Sequence, residues 1–249
     1  MILTKITIIT SLIFNIAEKA NMNLSLSDLG LVKQEQAFDN HVQDIYTSAG
    51  LDTMDLDYVI FEEALTGYYN LRKQDTVLSE KQVITVIDFS KPINVKRLYT
   101  IDLENKTVLY HTLAAHGIRS GRDFAENFSN INDSNLSSEG FLVTGKTYFG
   151  SRGYSLQLFG LDEGINDLVD YRNVVMHPAR ATARKGNETL AIGRSLGCPS
   201  IDPVYSKDVI DTVKDGTMVF IYGKDTGFSE RSQHLNQIFA YLGFTKYSV

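Results

Sequence analysis

The hydrophobic spacing of this chain changes period once, near residue 81, and that change restricts it to a helical segment followed by a mainly β domain. Before the change, apolar residues recur at helical intervals. Ala37, Phe38, Val42, Ile45 and Tyr46 mark a helix over 34–50 that stops at Gly50, and Leu56, Tyr58, Val59, Ala64, Leu65 and Tyr69 mark a second over 55–73. After it, Val83 to Phe89 reads as a strand, and Arg97 to Leu103 with Val108 to Ala114 reads as a hairpin turning at Asn105. Strands are expected again at 141–144, 155–159, 173–176 and 217–222, with helices over about 203–214 and 232–242. Between His116 and Gly140 lies a polar, Gly- and Ser-rich stretch without periodicity. A loop that long in a compact domain is usually functional, so it is expected to line a cleft.

With 249 residues there is room for one large domain with a helical extension, and two full domains would be crowded. The expected division is a leader at 1–20, a helical extension at 21–76 and a catalytic domain at 77–249. The formal net charge is −6 and the Lys and Arg residues are scattered, so no nucleic-acid footprint is present. Lys5 followed by the apolar run Ile6 to Ala17 reads as a secretory signal peptide, which predicts export to the periplasm or cell envelope. The run is too short to span a bilayer, so no stable membrane span is expected in the mature chain. The competing reading is an amphipathic helix packed on the domain. Oligomeric state is not encoded in any visible pattern.

The chain has a single cysteine, Cys198, which cannot form an intramolecular disulfide. An exported protein with an unpaired thiol exposes it to oxidation, so the residue asks for a chemical reason. The bland alternative is a small buried hydrophobe. Its context is Gly193-Arg-Ser-Leu-Gly-Cys-Pro-Ser200, where Gly197 frees the backbone just before the sulfur. Upstream, His177 ends an apolar strand at Pro178. A thiol with an ordinary pKa near 8.5 is mostly protonated at neutral pH and needs such an imidazole as base. Backbone N–H groups near Gly197 and Cys198 could hold a tetrahedral oxyanion, worth roughly 3 kcal/mol per donor. One His and one Cys leave both readings open.

The pair His177 and Ser195-Leu-Gly-Cys198 resembles the His and Ser-x-Gly-Cys pattern of L,D-transpeptidase catalytic domains of the YkuD-like fold. The resemblance runs through His116-Gly117, Gly140-Phe141, Thr144-Gly145, Gly160-Leu161-Asp162, Val175 to His177 and Gly193 to Pro199. It implies a mainly β (α+β) catalytic domain, a sandwich or barrel. It also implies that Cys198 attacks a peptidoglycan stem peptide, releases a terminal D-amino acid and passes the acyl group from a thioester to an amine. His177 would then be the base, Gly197 part of the oxyanion site and Ser195 a shaper of the loop. Two positions depart from the family pattern: Leu196 stands where His is usual, and Ser200 where Arg or Asn is usual. Ser200, Arg194, Arg119 and Arg122 are therefore the candidates for anchoring substrate, since a guanidinium grips a carboxylate with two hydrogen bonds.

His116 is a further candidate for the cleft, while His41, His111 and His234 suit packing or surface roles. Tyr148, Phe149 and Tyr154 read as core or cleft wall. No metal spacing or cofactor motif is present, and none is expected. Two rival functions remain open on the same residues. One is an L,D-carboxypeptidase or endopeptidase in which water takes the acyl group. The other is a cell-wall binding module that has lost catalysis.

Overall fold

The structure, a computed structural model, describes residues 26–74, 78–224 and 226–247. The expected leader and the expected boundary at 76/77 lie outside the described residues. Helix α1 (Leu26–Ser48) gives way to a turn in which Gly50 takes φ +65°, and α2 (Tyr58–Lys73) starts where the Asp57 carboxylate accepts the Val59 N–H at 2.8 Å. The strands are β1 (Val83–Asp88), β2 (Leu98–Asp102), β3 (Thr107–Thr112), β4 (Ala114–Ala115), β5 (Gly140–Gly150), β6 (Gly153–Gly160), β7 (Val175–Pro178), β8 (Ala181–Lys185), β9 (Glu188–Ile192), β10 (Ser200–Ile201) and β11 (Met218–Tyr222). Helix α3 (Ser206–Val213) precedes β11, and α4 (Phe228–Arg231), a short 3₁₀ turn and α5 (Gln237–Tyr247) follow it. Among the described residues no helix is long and apolar enough to cross a membrane.

Nine strands form one sheet in the order β3-β2-β1-β11-β5-β6-β7-β10-β4, and β8 and β9 form a separate hairpin. The pairs β1–β11 and β7–β10 are parallel and the others antiparallel. β3 and β4 stand at opposite ends of that order, yet only Leu113 separates them along the chain. The sheet therefore curls until it nearly closes on itself, the barrel-like, mainly β architecture the sequence implies.

The central strands are buried on both faces, which is why they read as unbroken apolar runs. One face of β1, β2, β5 and β11 presents Ile84, Val86, Tyr99, Ile101, Phe141, Met218 and Phe220 to α1, α2 and α5. The other presents Ile87, Leu98, Leu142, Val219 and Ile221 to an inner core with Leu156, Leu158, Met176 and Ile201, closed by Val209, Ile210 and Val213 of α3. The helices set apart by sequence as an extension thus share a core with the sheet. At their contact Gly67 leaves room for the Phe141 ring, which a Cβ there would meet at 2.1 Å.

The glycine- and aspartate-bearing motifs of the resemblance build this frame. Asp162 accepts the Phe141 N–H at 2.7 Å and the Asn166 amide, and Asn166 Nδ2 donates to the carbonyl of Glu139 at 2.7 Å. Gly160 lets that network close, since a Cβ there would lie 1.9 Å from the Asn166 carbonyl oxygen. These contacts fix β5 against β6 and so place β7, the strand that carries His177.

Candidate active site

The parallel register of β7 and β10 sets Ser200 opposite His177. Two residues earlier on each side, the Cys198 sulfur lies 3.5 Å from the Val175 N–H and 3.8 Å from the Asn173 carbonyl oxygen. Side chains two apart along a strand share a face. Val175, His177 and Ser200 therefore stand on one side of the paired strands, opposite the inward-facing Met176 and Ile201, and the Cys198 sulfur meets the backbone where β7 begins.

His177 is buried, and its Nδ1 lies 2.8 Å from the Pro178 carbonyl oxygen. A carbonyl only accepts, so Nδ1 carries the hydrogen and Nε2 is left as an acceptor. The Ser200 hydroxyl donates to that Nε2 at 3.2 Å. Burial lowers the imidazole pKa, and the neighbouring Arg152 cation lowers it further against the Pro178 bond, so the ring is neutral at pH 7. Burial pushes the Cys198 thiol up, opposed by the Val175 N–H and by the Arg152 and Arg172 cations. The half-buried sulfur is thus a thiol, and its hydrogen-bond partners among the described residues are the Val175 N–H and the Asn173 carbonyl, while Ser200 occupies Nε2 of the neutral imidazole.

The loop before the sulfur is folded by Ser195, whose hydroxyl donates to the Cys198 carbonyl at 2.6 Å and accepts the Gly197 N–H at 3.1 Å. Gly197 has φ +122°, and a Cβ there would meet the Leu136 carbonyl oxygen at 2.9 Å. Its N–H is bonded to Ser195, and its left-handed backbone sets the turn that leads into Cys198.

The other candidates divide. His116 is fully buried, with Nδ1 2.8 Å from Arg97 Nη2 and Nε2 3.3 Å from the Gly121 carbonyl oxygen, so it belongs to the frame and not to the cleft. Ser200 is also buried, and its hydroxyl faces His177 and not a ligand. Arg194 is exposed, and its Nη1 donates to the Ile118 and Gly121 carbonyls at 3.1 and 2.8 Å, which ties it to the long loop. Arg119 and Arg122 are exposed, and their side chains find no hydrogen-bond or ion-pair partner among the described residues.

Two arginines near the sulfur have no counterpart in the sequence reading. Arg172 donates from Nη1 to the Ser129 carbonyl and to Ser138 Oγ at 2.7 Å, and from Nη2 to Ser134 Oγ at 3.1 Å and the Leu136 carbonyl at 2.8 Å. It pins the long loop against Gly197, lying 3.8 Å from where a Cβ there would stand. Arg152 sits exposed at the tip between β5 and β6. The signal for both was position: a cation at a strand–strand turn, and one just before the His-bearing strand. Cavities of about 590 Å³ beside Leu113, Thr189, Asp202 and Tyr205, and about 470 Å³ beside Gly145 and Gln157, are lined by neither Cys198 nor His177. Among the described residues no three His, Cys, Asp or Glu side chains converge as a metal site requires.

Fold and site together define a mainly β domain in which a thiol just ahead of β10 meets the start of β7, the parallel strand that carries an imidazole two residues further on, with Ser200 bonded to that ring. The model of the L,D-transpeptidase catalytic domain matches residues 52–222, more than half of the chain, and the chain belongs to that family. Solved structures resemble it more distantly. An L,D-transpeptidase from Mycobacterium smegmatis is 13% identical with a TM-score of 0.36, over 57% of this chain and 59% of that one. An L,D-transpeptidase from Stackebrandtia nassauensis is 13% identical with a TM-score of 0.33, over 68% of each chain. This chain therefore spans less than two thirds of the length of the Mycobacterium smegmatis protein. No curated protein sequence matches it.

Proposed function

We propose that this protein is a cysteine-dependent L,D-transpeptidase acting on peptidoglycan stem peptides, with Cys198 as nucleophile and His177 as base. The observation that supports the reading is the β7–β10 register, which sets Ser200 opposite His177 and brings the sulfur two residues ahead of Ser200 to the Val175 N–H, two residues ahead of the neutral imidazole. A substrate carbonyl arriving at the sulfur draws the thiol proton toward Nε2, with the Ser200 hydroxyl giving way. The Pro178 carbonyl, already bonded to Nδ1–H, stabilises the imidazolium as it forms.

The Cys198–carbonyl bond forms as the oxygen takes the negative charge, and the backbone N–H of Cys198 is the donor best placed to receive it. Collapse of the intermediate breaks the amide bond to the terminal D-residue, whose amine leaves with the proton held by His177. An amine of a second stem then attacks the thioester, gives its proton to the same ring and frees the thiol. Export through the leader at 1–20, to the periplasm or cell envelope, belongs to this proposal because the polymer lies outside the membrane.

Incubation with tetrapeptide-bearing muropeptides, read by mass spectrometry, tests the assignment. The wild type should release the terminal D-amino acid and form dimers, and Cys198→Ala should do neither while keeping its circular dichroism spectrum. Release without dimers would make the protein a carboxypeptidase. No release by a folded wild type would leave the binding-module reading.

A further inference from the structure

The tip of the β5–β6 hairpin stands beside the end of β7, where His177 is followed by Pro178. In the β6–β7 ladder Gln157 faces Val175 and Leu156 faces Met176, so each step toward the tip advances one residue along β7. That progression brings the tip to Pro178, and a Cβ on Gly153 would lie 4.0 Å from Pro178 Cγ. Arg152, next in line, is exposed and makes no hydrogen bond or ion pair among the described residues. Its charge reaches both Cys198 and His177, lowering the pKa of each. The other cation acting on the sulfur, Arg172, is held by four loop oxygens and is not free to turn toward a ligand. The same tip exposes Tyr148 and Phe149, the latter 84% exposed and 5.3 Å from the Tyr154 ring. A guanidinium without a partner and an exposed aromatic surface, projecting at the end of the strand that carries His177, suit a ligand that is anionic at one end.

We infer that Arg152 is the anchor for the free carboxylate at the end of the acyl-donor peptide, and that the β5–β6 tip is the arm that recognises this end. The inference rests on the transpeptidase reading for its substrate and on geometry for its site. Chain dimensions support it: in a peptide cut before its last residue, the terminal carboxylate is one residue from the attacked carbonyl, about 3.8 Å from Cα to Cα. A group that binds it must stand next to the sulfur. Arg152 follows from the tip that meets Pro178, the residue after His177, and a guanidinium on a long flexible stem can meet both carboxylate oxygens at once. The arm selects donors by their charge, and the pair beneath it carries out the chemistry.

Two measurements separate this site from the reaction it serves. In the first, Cys198 is alkylated with iodoacetate and with iodoacetamide in the wild type, Arg152→Ala and Arg152→Lys. The wild-type rate ratio should favour the anionic reagent severalfold over the ratio in Arg152→Ala and should fall with added salt, and Arg152→Lys should keep part of the preference. In the second, a tetrapeptide donor with a free terminal carboxylate is compared with its terminal carboxamide. Arg152→Ala should raise KM for the carboxylate donor about tenfold or more relative to KM for the carboxamide donor, while any change in kcat from losing a charge that acts on the thiol and imidazole falls equally on both donors. An unchanged alkylation ratio would overturn the anion site. A preserved ratio effect with equal losses on both donors would overturn the carboxylate assignment. If the wild type turned over neither donor, the transpeptidase reading would fall and the alkylation ratio alone would decide the role of Arg152.

Discussion

At Cys198 the sulfur is kept protonated by its surroundings, and at His177 the ring is kept neutral by its own, so both groups rest uncharged, and in the proposed reaction they separate charge only when substrate arrives. Ser200 explains how a hydroxyl serves where a larger polar side chain is usual in the family pattern: it caps Nε2 without filling the cleft. His116 shows the opposite use of an imidazole. It is buried against Arg97, and desolvation with that cation lowers its pKa to about 4. The unfolded ring titrates near 6.5 and so binds more protons than the folded one between those values, which means stability is full above pH 6.5 and is lost as the pH falls toward 4. The shift corresponds to about 3 kcal/mol. Urea denaturation should therefore show the stability advantage of wild type over His116→Gln shrinking by about that amount from pH 6.5 to 4. A constant advantage would contradict the buried neutral ring.

Among the elements, the long loop from 117 to 139 has isolated bridges and scattered backbone bonds in place of a ladder, and hydroxyls with one cation tie these together. Ser137 Oγ accepts the Gly117 N–H at 2.9 Å, Ser120 Oγ accepts the Ser137 N–H at 2.8 Å, and Arg172 collects the stretch from Ser129 to Ser138. Arg172→Ala removes several charge-assisted bonds, worth about 2–3 kcal/mol in total once water replaces them. Hydrogen exchange should then lose protection over 129–138 while β5 and β11 keep theirs. Uniform loss across the sheet would contradict a local clamp.

The strands that sequence locates least well are those whose pattern is masked. β5 runs on to Gly150 past an irregularity between Thr144 and Thr147 that breaks its alternation. The β8–β9 hairpin turns at Gly186, φ +59°, but β8 is mostly exposed and shows no apolar face. β10 has two residues, too few for any period. Cys198 and His177 can be singled out in the sequence because each carries its own chemistry and a Gly or Pro beside it. Arg152 and Arg172 cannot, because their roles depend on which strands become neighbours.

For the whole molecule, the near-closure of the sheet and its coat of helices make one cooperative unit. Without α1, α2 and α5, the outer face of the sheet would expose Ile84, Val86, Tyr99, Ile101, Phe141, Met218 and Phe220. Losing burial at roughly 1.5–3 kcal/mol for each such side chain rivals the 5–15 kcal/mol that holds a typical domain folded. A chain cut to residues 77–249 should give no cooperative thermal transition, whereas a chain starting at residue 21 should melt like the full one. A cooperative transition in the shorter chain would show that the helices are a dispensable extension.

The central claim is that acyl groups pass through the sulfur of Cys198 with His177 as base, and its most direct test is the intact mass of the protein quenched in acid during turnover of a tetrapeptide donor. The account predicts an adduct equal to the donor minus its terminal residue, mapped to Cys198, slow to form in His177→Ala and missing in Cys198→Ala. Steady turnover by a folded Cys198→Ala, or an adduct on any other residue, would contradict it.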